Sequence, residues 1–480
     1  MNKYFINTYG CQMNYSDTER LSAILEQLGY APAQTENEAD FVLFNTCSIR
    51  QKAEDRVYGQ MRKLVRMKRE RPNLLVGITG CMVRESSTIN SEEQDKLLKQ
   101  EPVDLVFKID DLPKLGGLIK EVQPDFKTPI SEGDLESYFH IAPKRESKVQ
   151  VWVPIQTGCD KFCTYCIVPF ARGRETSRPM QKIVDECAAA VESGAAEITL
   201  LGQTVDSYGI SVQDKLGGRV KIDGEIPNVV FNQGIFKGEN MMASSDGARQ
   251  KETAERPFVT LLKEIDKLKA KGLKRLRYSS PHPQDFCEEL IILHKELDTL
   301  QPWIHLPVQS GNNKVLKDMR RTYTREHYLN LIKLIKKHVP DCAISTDIIA
   351  GFPGETEEEF MESIDLMKEM ECDMAFMAQY SPRRGTYSAK HLKDDVPKEE
   401  KARRFHMLND TLTEISRQKY AQFMGQTVEV LVERQDGQRC SGRTPHYKEV
   451  FFNSGRDLVG KLVSVKVTKT DNFFLKGELV

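Results

Sequence analysis

Patterns typical of strands and of helices alternate along most of this 480-residue chain. In the first hundred residues, short apolar runs are separated by longer segments with helical periodicity. Such alternation requires crossover connections, which place the strands parallel in one sheet with helices on its faces. We therefore predict an α/β fold whose amino-terminal domain, residues 1–122, is an open parallel sheet. The predicted strands are residues 3–8, 40–45 and 74–79, and the predicted helices are residues 16–28, opened by a capping box of Ser16 and Glu19, and 49–71.

A second alternating series occupies residues 148–395. About six strand and helix units in this length fit a central partial (β/α)6 barrel better than an open sheet. Residues 210–256 interrupt the series and are rich in Gly, Asn, Ser and Asp, so we expect a surface insertion there. The predicted strands are residues 149–155, 197–201, 275–278, 304–308, 343–349 and 374–380, and the predicted helices are residues 180–193, 283–299, 312–338 and 357–370.

The last sixty residues change to short alternating strands separated by Gly-containing turns, which predicts a small carboxyl-terminal β-barrel over residues 420–480. A charged helix over residues 398–423 precedes it. Residues 123–147 combine Pro, Glu, Asp and Lys with little apolar periodicity, and we interpret them as a linker.

Composition excludes several classes of protein. With 69 basic and 70 acidic residues the net charge is -1, so no global field draws the chain to nucleic acid or anionic lipid. No apolar run approaches the roughly 18 residues of a spanning helix, and the first eleven residues lack the pattern of a secretory signal. We expect a cytosolic protein with no membrane association. Its eleven cysteines are then expected to be reduced, and clusters of them to hold metal or do chemistry.

Three cysteines follow the three predicted amino-terminal strands: Cys11 the first, Cys47 the second and Cys81 the third. Ligands of open α/β sheets bind at the carboxyl ends of the strands, so cysteines distant in sequence can converge there. We refer to Cys11, Cys47 and Cys81 as the amino-terminal trio. Alternatively they are ordinary buried thiols, as we expect for Cys187, Cys287, Cys342, Cys372 and Cys440.

A second group, Cys159, Cys163 and Cys166, has the spacing C-x3-C-x2-C directly after the first strand of the predicted barrel. We refer to it as the barrel trio. Three thiolates so close can hold three irons of a four-iron, four-sulfur cluster and leave the fourth iron open. A structural zinc site is the alternative, but it needs a fourth ligand that this loop does not supply.

The barrel trio resembles the signature of the radical S-adenosylmethionine (SAM) superfamily, and its surroundings over residues 156–179 are similar to those of the methylthiotransferases. Three amino-terminal motifs resemble one branch, the tRNA-2-methylthio-N6-dimethylallyladenosine synthases: residues 7–14 (NTYGCQMN), 45–50 (NTCSIR) and 80–82 (GCM). The similarity covers nearly the whole chain apart from the insertion.

This resemblance implies two [4Fe-4S] clusters, an auxiliary one on the amino-terminal trio and one on the barrel trio whose open iron chelates SAM. It further implies a methylthio group added to carbon 2 of N6-dimethylallyladenosine at position 37 of tRNA, next to the anticodon. One SAM would supply the methyl group, and a second would be cleaved reductively to the radical that removes hydrogen. A low-potential electron donor, flavodoxin-like or ferredoxin-like, is implied as a partner.

Segments that end several predicted barrel strands also match the family. They place polar groups and one glycine where SAM is expected, and the residue before the last cysteine of the barrel trio resembles the position that meets adenine. Alternatively, the Gly and Pro residues of these segments only shape tight turns between strand and helix. The expected SAM-binding residues are Tyr165, Gln203, Gln309, Ser310, Asp347 and Gly351.

Binding of tRNA is expected on two grounds. Residues 50–71 carry nine basic and three acidic residues, and residues 314–337 have a similar bias, although a solvated charged face is the commoner reason for such a stripe. The carboxyl-terminal barrel resembles a TRAM domain, an RNA-binding module, through residues 442–444 and 475–478.

Other functions stay open at this point. Within the class, the substrate could be threonylcarbamoyladenosine of tRNA or an aspartate of a ribosomal protein, but residues 9–14 favour the dimethylallyl branch. From another class, the chain could be a non-catalytic RNA-binding or electron-transfer protein with two clusters. The C-x3-C-x2-C spacing argues against this, because an electron carrier would normally give its cluster four cysteines. The chain departs from the family at Thr204 and Asp206, where relatives usually have Asn, and in the length of its insertion. Both departures put SAM contacts near Gln203 in doubt.

Overall fold

The computed structural model describes residues 2–48, 51–92, 95–127, 137–145, 147–210 and 255–480. Nearly all of the predicted insertion and the middle of the predicted linker lie outside the described residues. Within those ranges, no helix combines the length and the apolar character needed to cross a membrane.

A six-stranded sheet forms the centre of the amino-terminal domain. Its middle strand, Phe41–Thr46, pairs in parallel with Lys3–Tyr9 on one side and with Leu75–Gly80 on the other. Both Phe41–Thr46 and Leu75–Gly80 are buried along their whole length because helices cover both faces of a parallel sheet. The predicted open parallel sheet is confirmed. Three short strands that the sequence did not indicate extend it: Ala31–Pro32 and Leu105–Phe107, both parallel, and Ser87–Thr88, which is antiparallel.

The first helix begins four residues earlier than its sequence pattern indicates. It spans Gln12–Gln27 with Cys11 as the N-cap, and the predicted start at Ser16 is wrong. The side chain of Asn14 supplies the reason, because its Oδ1 accepts a hydrogen bond from the Cys11 backbone N–H at 3.2 Å. The first strand therefore passes directly into the helix through Cys11. The other α-helices of this domain are Gln51–Glu70 and Leu115–Val122.

The predicted linker is in part a structural element of the amino-terminal domain. A short 3-10 helix, Tyr138–His140, places the Tyr138 ring in the core with Leu21 and Phe41, and the Tyr138 hydroxyl donates to Asp17 at 2.7 Å. Sequence periodicity could not reveal this, because one buried aromatic residue in a polar segment has no period.

The central domain has the predicted six parallel strands, arranged as two groups of three. Gln150–Pro154, Glu197–Leu201 and Arg275–Tyr278 form one group, and Trp303–His305, Ala343–Ala350 and Met374–Gln379 form the other. A bridge between Leu276 and Leu300 connects the groups. The helices around them are Val168–Ala171, Met180–Glu192, Pro257–Asp266, Glu288–Glu296, Asn313–Asp318, Arg325–His338, Glu357–Met370, Tyr387–His391 and Lys398–Ala421.

One predicted helix, residues 312–338, is two helices in the structure. Asn313–Asp318 and Arg325–His338 are separated by a loop in which Arg320 has a positive φ of 55°. Thr324 caps the second helix by accepting the backbone N–H of His327 at 3.2 Å. The break matters for the site because it carries Arg321.

The carboxyl-terminal domain is a closed five-stranded β-barrel, as predicted. It lies at the amino ends of the central strands: Arg275 and Arg277, in the strand Arg275–Tyr278, donate to its carbonyl oxygens at Arg443 and Pro445 at 2.6 and 2.9 Å. This end of the central domain is opposite to the end at which the barrel trio lies. Its strands are Thr427–Asp436, Arg439–Arg443, Glu449–Asn453, Leu462–Thr470 and Phe474–Leu479.

Candidate iron-sulfur and SAM site

The amino-terminal trio converges at the carboxyl edge of the sheet. Cys11, Cys47 and Cys81 each follow one of three adjacent strands. A hydrogen bond from Cys47 lowers the pKa of the Cys11 thiol to about 6. Burial raises the pKa of the Cys81 thiol, and charge repulsion from Cys11 adds to this effect. Residues separated by up to seventy positions thus meet at one place.

An amide network fixes the turn that carries Cys11. Asn14 Nδ2 donates to Asn45 Oδ1 at 3.1 Å, and Asn45 Nδ2 donates to the Asn14 carbonyl oxygen at 2.7 Å. Gly10 is required by the close approach of the chains, because a Cβ there would lie 2.7 Å from Cys47 Cβ and 2.2 Å from Asn14 Oδ1. The sequence pattern did not indicate these supporting residues, although they lie beside the cysteines in the family motifs.

The barrel trio lies in the loop that follows two successive strands, Gln150–Pro154 and Gln156–Thr157. Burial and the neighbouring Cys163 raise the pKa of the Cys159 thiol to about 12, and burial together with Cys163 and Cys159 raises that of Cys166 further. Cys159 and Cys163 are buried and Cys166 is partly buried, and the three thiols lie close enough to act on one another electrostatically.

Each trio receives one buried arginine from another part of the chain. Arg172 Nε lies 3.4 Å from Cys81 Sγ, and Arg321 Nη1 lies 3.5 Å from Cys163 Sγ. The sequence indicated no role for either residue. Arg172 lies within residues 156–179, which resemble the family, whereas Arg321 lies inside a predicted helix that is broken in the structure.

The donor sets fit four-iron clusters. Among the described residues, no group of three or more His, Cys, Asp or Glu side chains is placed to hold a single metal ion. A four-iron cluster differs because each cysteine binds a different iron, which spreads the three sulfur atoms around a larger object. Arginine N–H groups directed at Cys81 and Cys163 are the outer partners that such thiolates take.

Among the expected SAM-binding residues, Gln203 has a side-chain oxygen that the protein leaves unpaired. Its Oε1 is one of the buried side-chain atoms in the described part of the chain that have no hydrogen-bond partner. Buried polar atoms are normally paired, so this oxygen is available to a ligand donor. Tyr165 packs edge to face on Phe352 at 6.4 Å between ring centroids, which joins the barrel trio to the segment after the strand Ala343–Ala350.

Three other expected SAM-binding residues differ in their exposure and in the hydrogen bonds that they already make within the protein. The carboxylate of Asp347 is about one-third exposed and lies 3.6 Å from His305 Nε2. Gln309 has a positive φ of 76° and uses its backbone to pair with Asp347 and Ile349. Ser310 is fully buried, and its hydroxyl accepts the Asn312 backbone N–H at 3.2 Å. Ser310 therefore shapes the turn, and its contact with SAM stays a prediction.

Gly351 is accounted for by the protein itself. It has a positive φ of 72°, and a Cβ there would lie 2.4 Å from Cγ of Lys401, in the helix Lys398–Ala421. Its N–H donates to Glu355 at 2.7 Å. The close approach expected for SAM at this glycine is made by a lysine side chain, and a ligand contact there stays a prediction.

The two positions at which relatives usually have Asn, Thr204 and Asp206, lie in the supporting structure, and the longer insertion lies almost entirely outside the described residues. Asp206 accepts the His282 backbone N–H with both carboxylate oxygens, at 2.9 and 3.0 Å, and burial and Asp285 raise its pKa well above the usual range. The Thr204 hydroxyl donates to Glu175 at 3.0 Å. Both side chains hold the loops around Gln203 in place.

Residues 3–108 match the family described as "Uncharacterized protein family UPF0004", residues 153–367 match the radical SAM superfamily and residues 421–480 match the TRAM domain. A structure of the radical SAM methyltransferase TsrM from Kitasatospora setae, with tryptophan and a SAM analogue bound, has a similar fold. Its TM-score is 0.51 at 14% identity, over 78% of this chain and 73% of that one.

Curated relatives extend over the whole chain. A protein of Thermoanaerobacter sp. (strain X514) is 37% identical over 99% of this chain and 92% of its own length. One of Clostridium novyi (strain NT) is 38% identical over 100% and 96%, and one of Geobacillus kaustophilus (strain HTA426) is 39% identical over 100% and 82%. All three are named tRNA-2-methylthio-N(6)-dimethylallyladenosine synthase. With this identity over its full length, the chain belongs to the family of tRNA-2-methylthio-N(6)-dimethylallyladenosine synthases.

Proposed function

We propose that this chain adds a methylthio group to carbon 2 of N6-dimethylallyladenosine at position 37 of tRNA. One observation carries the proposal: two cysteine trios, each with its own buried arginine donor, lie at strand carboxyl ends of two adjoining domains. A protein that only bound RNA would need neither trio. The names of the relatives favour the dimethylallyl substrate over threonylcarbamoyladenosine or a ribosomal protein aspartate.

The cofactors of this family are two [4Fe-4S] clusters and SAM. When bound, they supply a methyl group, a sulfur carrier and a radical able to remove hydrogen from an unactivated carbon. We assign one cluster to Cys11, Cys47 and Cys81 and the other to Cys159, Cys163 and Cys166.

The protein's own contribution is position and shelter. We assign the orientation of SAM beside the barrel trio to Gln203 and Asp347, and this is supported by the unpaired Oε1 of Gln203 and the partly exposed carboxylate of Asp347. Four of the six cysteines, Cys47, Cys81, Cys159 and Cys163, are buried, which limits the access of water to reactive species. A chamber shared by both reactants would make their meeting an intramolecular event.

The amino-terminal domain contacts both edges of the partial barrel. The Ser16 hydroxyl donates to the Trp152 carbonyl oxygen at 3.4 Å in the first strand, and Arg84 donates to the Arg384 carbonyl oxygen at 2.8 Å after the last. These contacts support a shared chamber between the two trios, which transfer of a methylthio group requires.

Transfer RNA is the proposed macromolecular substrate, and the carboxyl-terminal TRAM domain supports this assignment. The helix Gln51–Glu70 adds an exposed basic face with Arg62, Arg66 and Arg69, although Lys63 and Lys68 pair with Glu36 and Asp104 of their own domain. A low-potential donor of the flavodoxin or ferredoxin type would supply electrons. Action in the cytoplasm follows as part of the same proposal.

The test is nucleoside mass spectrometry of tRNA that carries N6-dimethylallyladenosine, incubated anaerobically with reconstituted protein, SAM and a reductant. We expect the methylthio nucleoside with the native chain and none with Cys81→Ala or Cys163→Ala. Cys440→Ala is the matched control, because Cys440 is an equally buried thiol in the carboxyl-terminal barrel. Product only on tRNA bearing threonylcarbamoyladenosine would replace the proposed substrate, and no product on any tRNA would contradict the proposal.

A further inference from the structure

Arg172 physically connects the two cysteine trios. It comes six residues after Cys166, at the end of the short helix Val168–Ala171, so it belongs to the loop of the barrel trio. Its guanidinium nevertheless lies in the amino-terminal domain, with Nε 3.4 Å from Cys81 Sγ and Nη2 2.5 Å from Asp17 Oδ2. Only 3% of its side chain is exposed. One buried side chain therefore spans from the loop of one trio to a cysteine of the other.

Asp17 completes a buried chain of polar groups. Its Oδ2 accepts from Arg172, and its Oδ1 accepts from the Tyr138 hydroxyl at 2.7 Å. Arg20 lies over the Tyr138 ring at 5.1 Å, and the partly buried Asp110 also interacts electrostatically with Arg172. The carboxylate of Asp17 offsets part of the positive charge that Arg172 presents to Cys81.

We propose that Arg172 is a positioning residue that sets the reduction potential of the cluster held by Cys81 and fixes its place relative to the barrel trio. This inference rests on the proposed assignment of a cluster to the amino-terminal trio. A hydrogen bond to a ligating sulfur and a nearby positive charge both favour the more negatively charged, reduced state of a cluster. Arg172 therefore raises the reduction potential, and Asp17 moderates the increase.

The two residues predict shifts of opposite sign. Arg172→Gln removes the charge, so the midpoint potential of the amino-terminal cluster should become more negative. Asp17→Asn keeps the shape of the side chain, and its amide oxygen can still accept a hydrogen bond from Arg172. Because the negative charge is lost, Cys81 meets the whole guanidinium charge, so the midpoint potential should become more positive. Damage to the fold would not produce a rise in one variant and a fall in the other.

Arg20→Gln is the matched control. Arg20 is also fully buried at the junction of the two domains and pairs with Glu186 at 3.1 Å, but its hydrogen bonds go to Ser16 and Glu186 and not to a cysteine. Its replacement loosens the same junction and should shift the midpoint much less than Arg172→Gln does.

The measurement is a redox titration monitored by electron paramagnetic resonance on the anaerobically reconstituted full-length chain. The variant with Cys159, Cys163 and Cys166 all changed to Ala identifies which midpoint belongs to the amino-terminal cluster. Opposite shifts in Arg172→Gln and Asp17→Asn, with a much smaller shift in Arg20→Gln, support the inference. Loss of that cluster from Arg172→Gln alone supports the positioning role, and the sign of the Asp17→Asn shift then decides the electrostatic role.

Midpoint potentials equal to that of the native chain in all three variants would overturn the inference. A shift in Arg20→Gln as large as that in Arg172→Gln would also overturn it. Iron content of Cys81→Ala separates this failure from failure of the proposed function. If Cys81→Ala keeps all of its iron, the assignment of a cluster to the amino-terminal trio is wrong. If it loses iron while the Arg172→Gln midpoint is unchanged, only the role of Arg172 is wrong.

Discussion

At the scale of single residues, the cysteines are held by neighbours that have no metal-binding chemistry of their own. Asn14 and Asn45 fix the turn at Cys11, and Gly10 lets that turn approach Cys47. The sequence could indicate the cysteines because their chemistry is distinctive. It could not indicate the asparagines, because their role depends on which strands are adjacent.

Gly10→Ala should destabilise the protein and weaken iron binding by the amino-terminal trio. The added Cβ would lie 2.7 Å from Cys47 Cβ, and overpacking of this kind costs about 1–3 kcal/mol. Chemical denaturation and iron content measure the two effects. Gly59→Ala is the control: its Cβ would meet nothing within 4 Å inside the helix Gln51–Glu70, so it should stabilise by about 0.5–1 kcal/mol. An equal gain from Gly10→Ala would contradict the close packing.

His294 predicts a loss of stability in mild acid. Its Nε2 pairs with the Tyr278 hydroxyl at 2.6 Å and its Nδ1 with the Gln301 carbonyl oxygen at 2.7 Å, and burial lowers its pKa to about 4. An unfolded histidine has a pKa of about 6.5, so below that pH protons bind the unfolded chain preferentially. The free energy of unfolding should fall by about 1 kcal/mol between pH 7 and 5.5. The free energy of unfolding of His294→Gln, measured by chemical denaturation, should lack this part of the pH dependence. A pH dependence identical to that of the native chain would refute the prediction.

At the scale of elements, periodicity predicts the existence and type of helices and strands better than their ends. The strands Glu197–Leu201 and Arg275–Tyr278 and the helix Glu357–Met370 occur where the sequence indicates them. The break in residues 312–338 was missed because both halves are basic and amphipathic with the same period. What separates them is the positive φ of Arg320, which leaves no periodic signal.

The loop at this break should be essential to the barrel trio. Arg321 donates to the Pro307 carbonyl oxygen at 2.9 Å and to the Tyr323 hydroxyl at 2.8 Å, besides its contact with Cys163. Arg321→Gln removes these hydrogen bonds, at a cost of about 2 kcal/mol, and takes away a donor to the thiolate. The Tyr323 hydroxyl keeps its bonds to the carbonyl oxygens of Pro307 and Val308. We expect lower iron content in the barrel trio and a lower denaturation midpoint. Arg325→Gln, at the partly exposed start of the next helix, should change iron content little; equal iron loss would indicate a general loop effect.

At the scale of the whole molecule, the two outer domains contact different parts of the central barrel. The amino-terminal domain packs along the first central strand and receives Arg172 from the loop of the barrel trio. The carboxyl-terminal barrel lies at the amino ends of the central strands. Lys448 of that barrel pairs with Asp373 at 2.8 Å, and Tyr447 stacks on Trp303 at 4.4 Å. An RNA held by the carboxyl-terminal domain must therefore extend along the outside of the central barrel to reach the cysteines.

Tyr447→Ala should release the carboxyl-terminal domain. Tyr447 stacks on Trp303, and the guanidinium groups of Arg277 and Arg443 lie 5.0 and 4.7 Å from its ring. The ring is partly buried, so its loss should cost about 2 kcal/mol, less than that of a fully buried aromatic residue. We expect faster limited proteolysis near residues 421–426 with iron content unchanged. Phe451→Ala is the control, because that ring is exposed on the same domain. Equal cleavage rates in both variants would show that Tyr447 does not hold the junction.

The central claim is that the chain holds two separate clusters, one on each trio. The most direct measurement is iron and sulfide content with Mössbauer spectra of anaerobically reconstituted protein, for the native chain and for two triple variants. One changes Cys11, Cys47 and Cys81 to Ala, and the other changes Cys159, Cys163 and Cys166. The account predicts about eight irons in the native chain and about four in each variant, as two four-iron clusters require. About four irons in the native chain, all lost in one variant and all kept in the other, would contradict it.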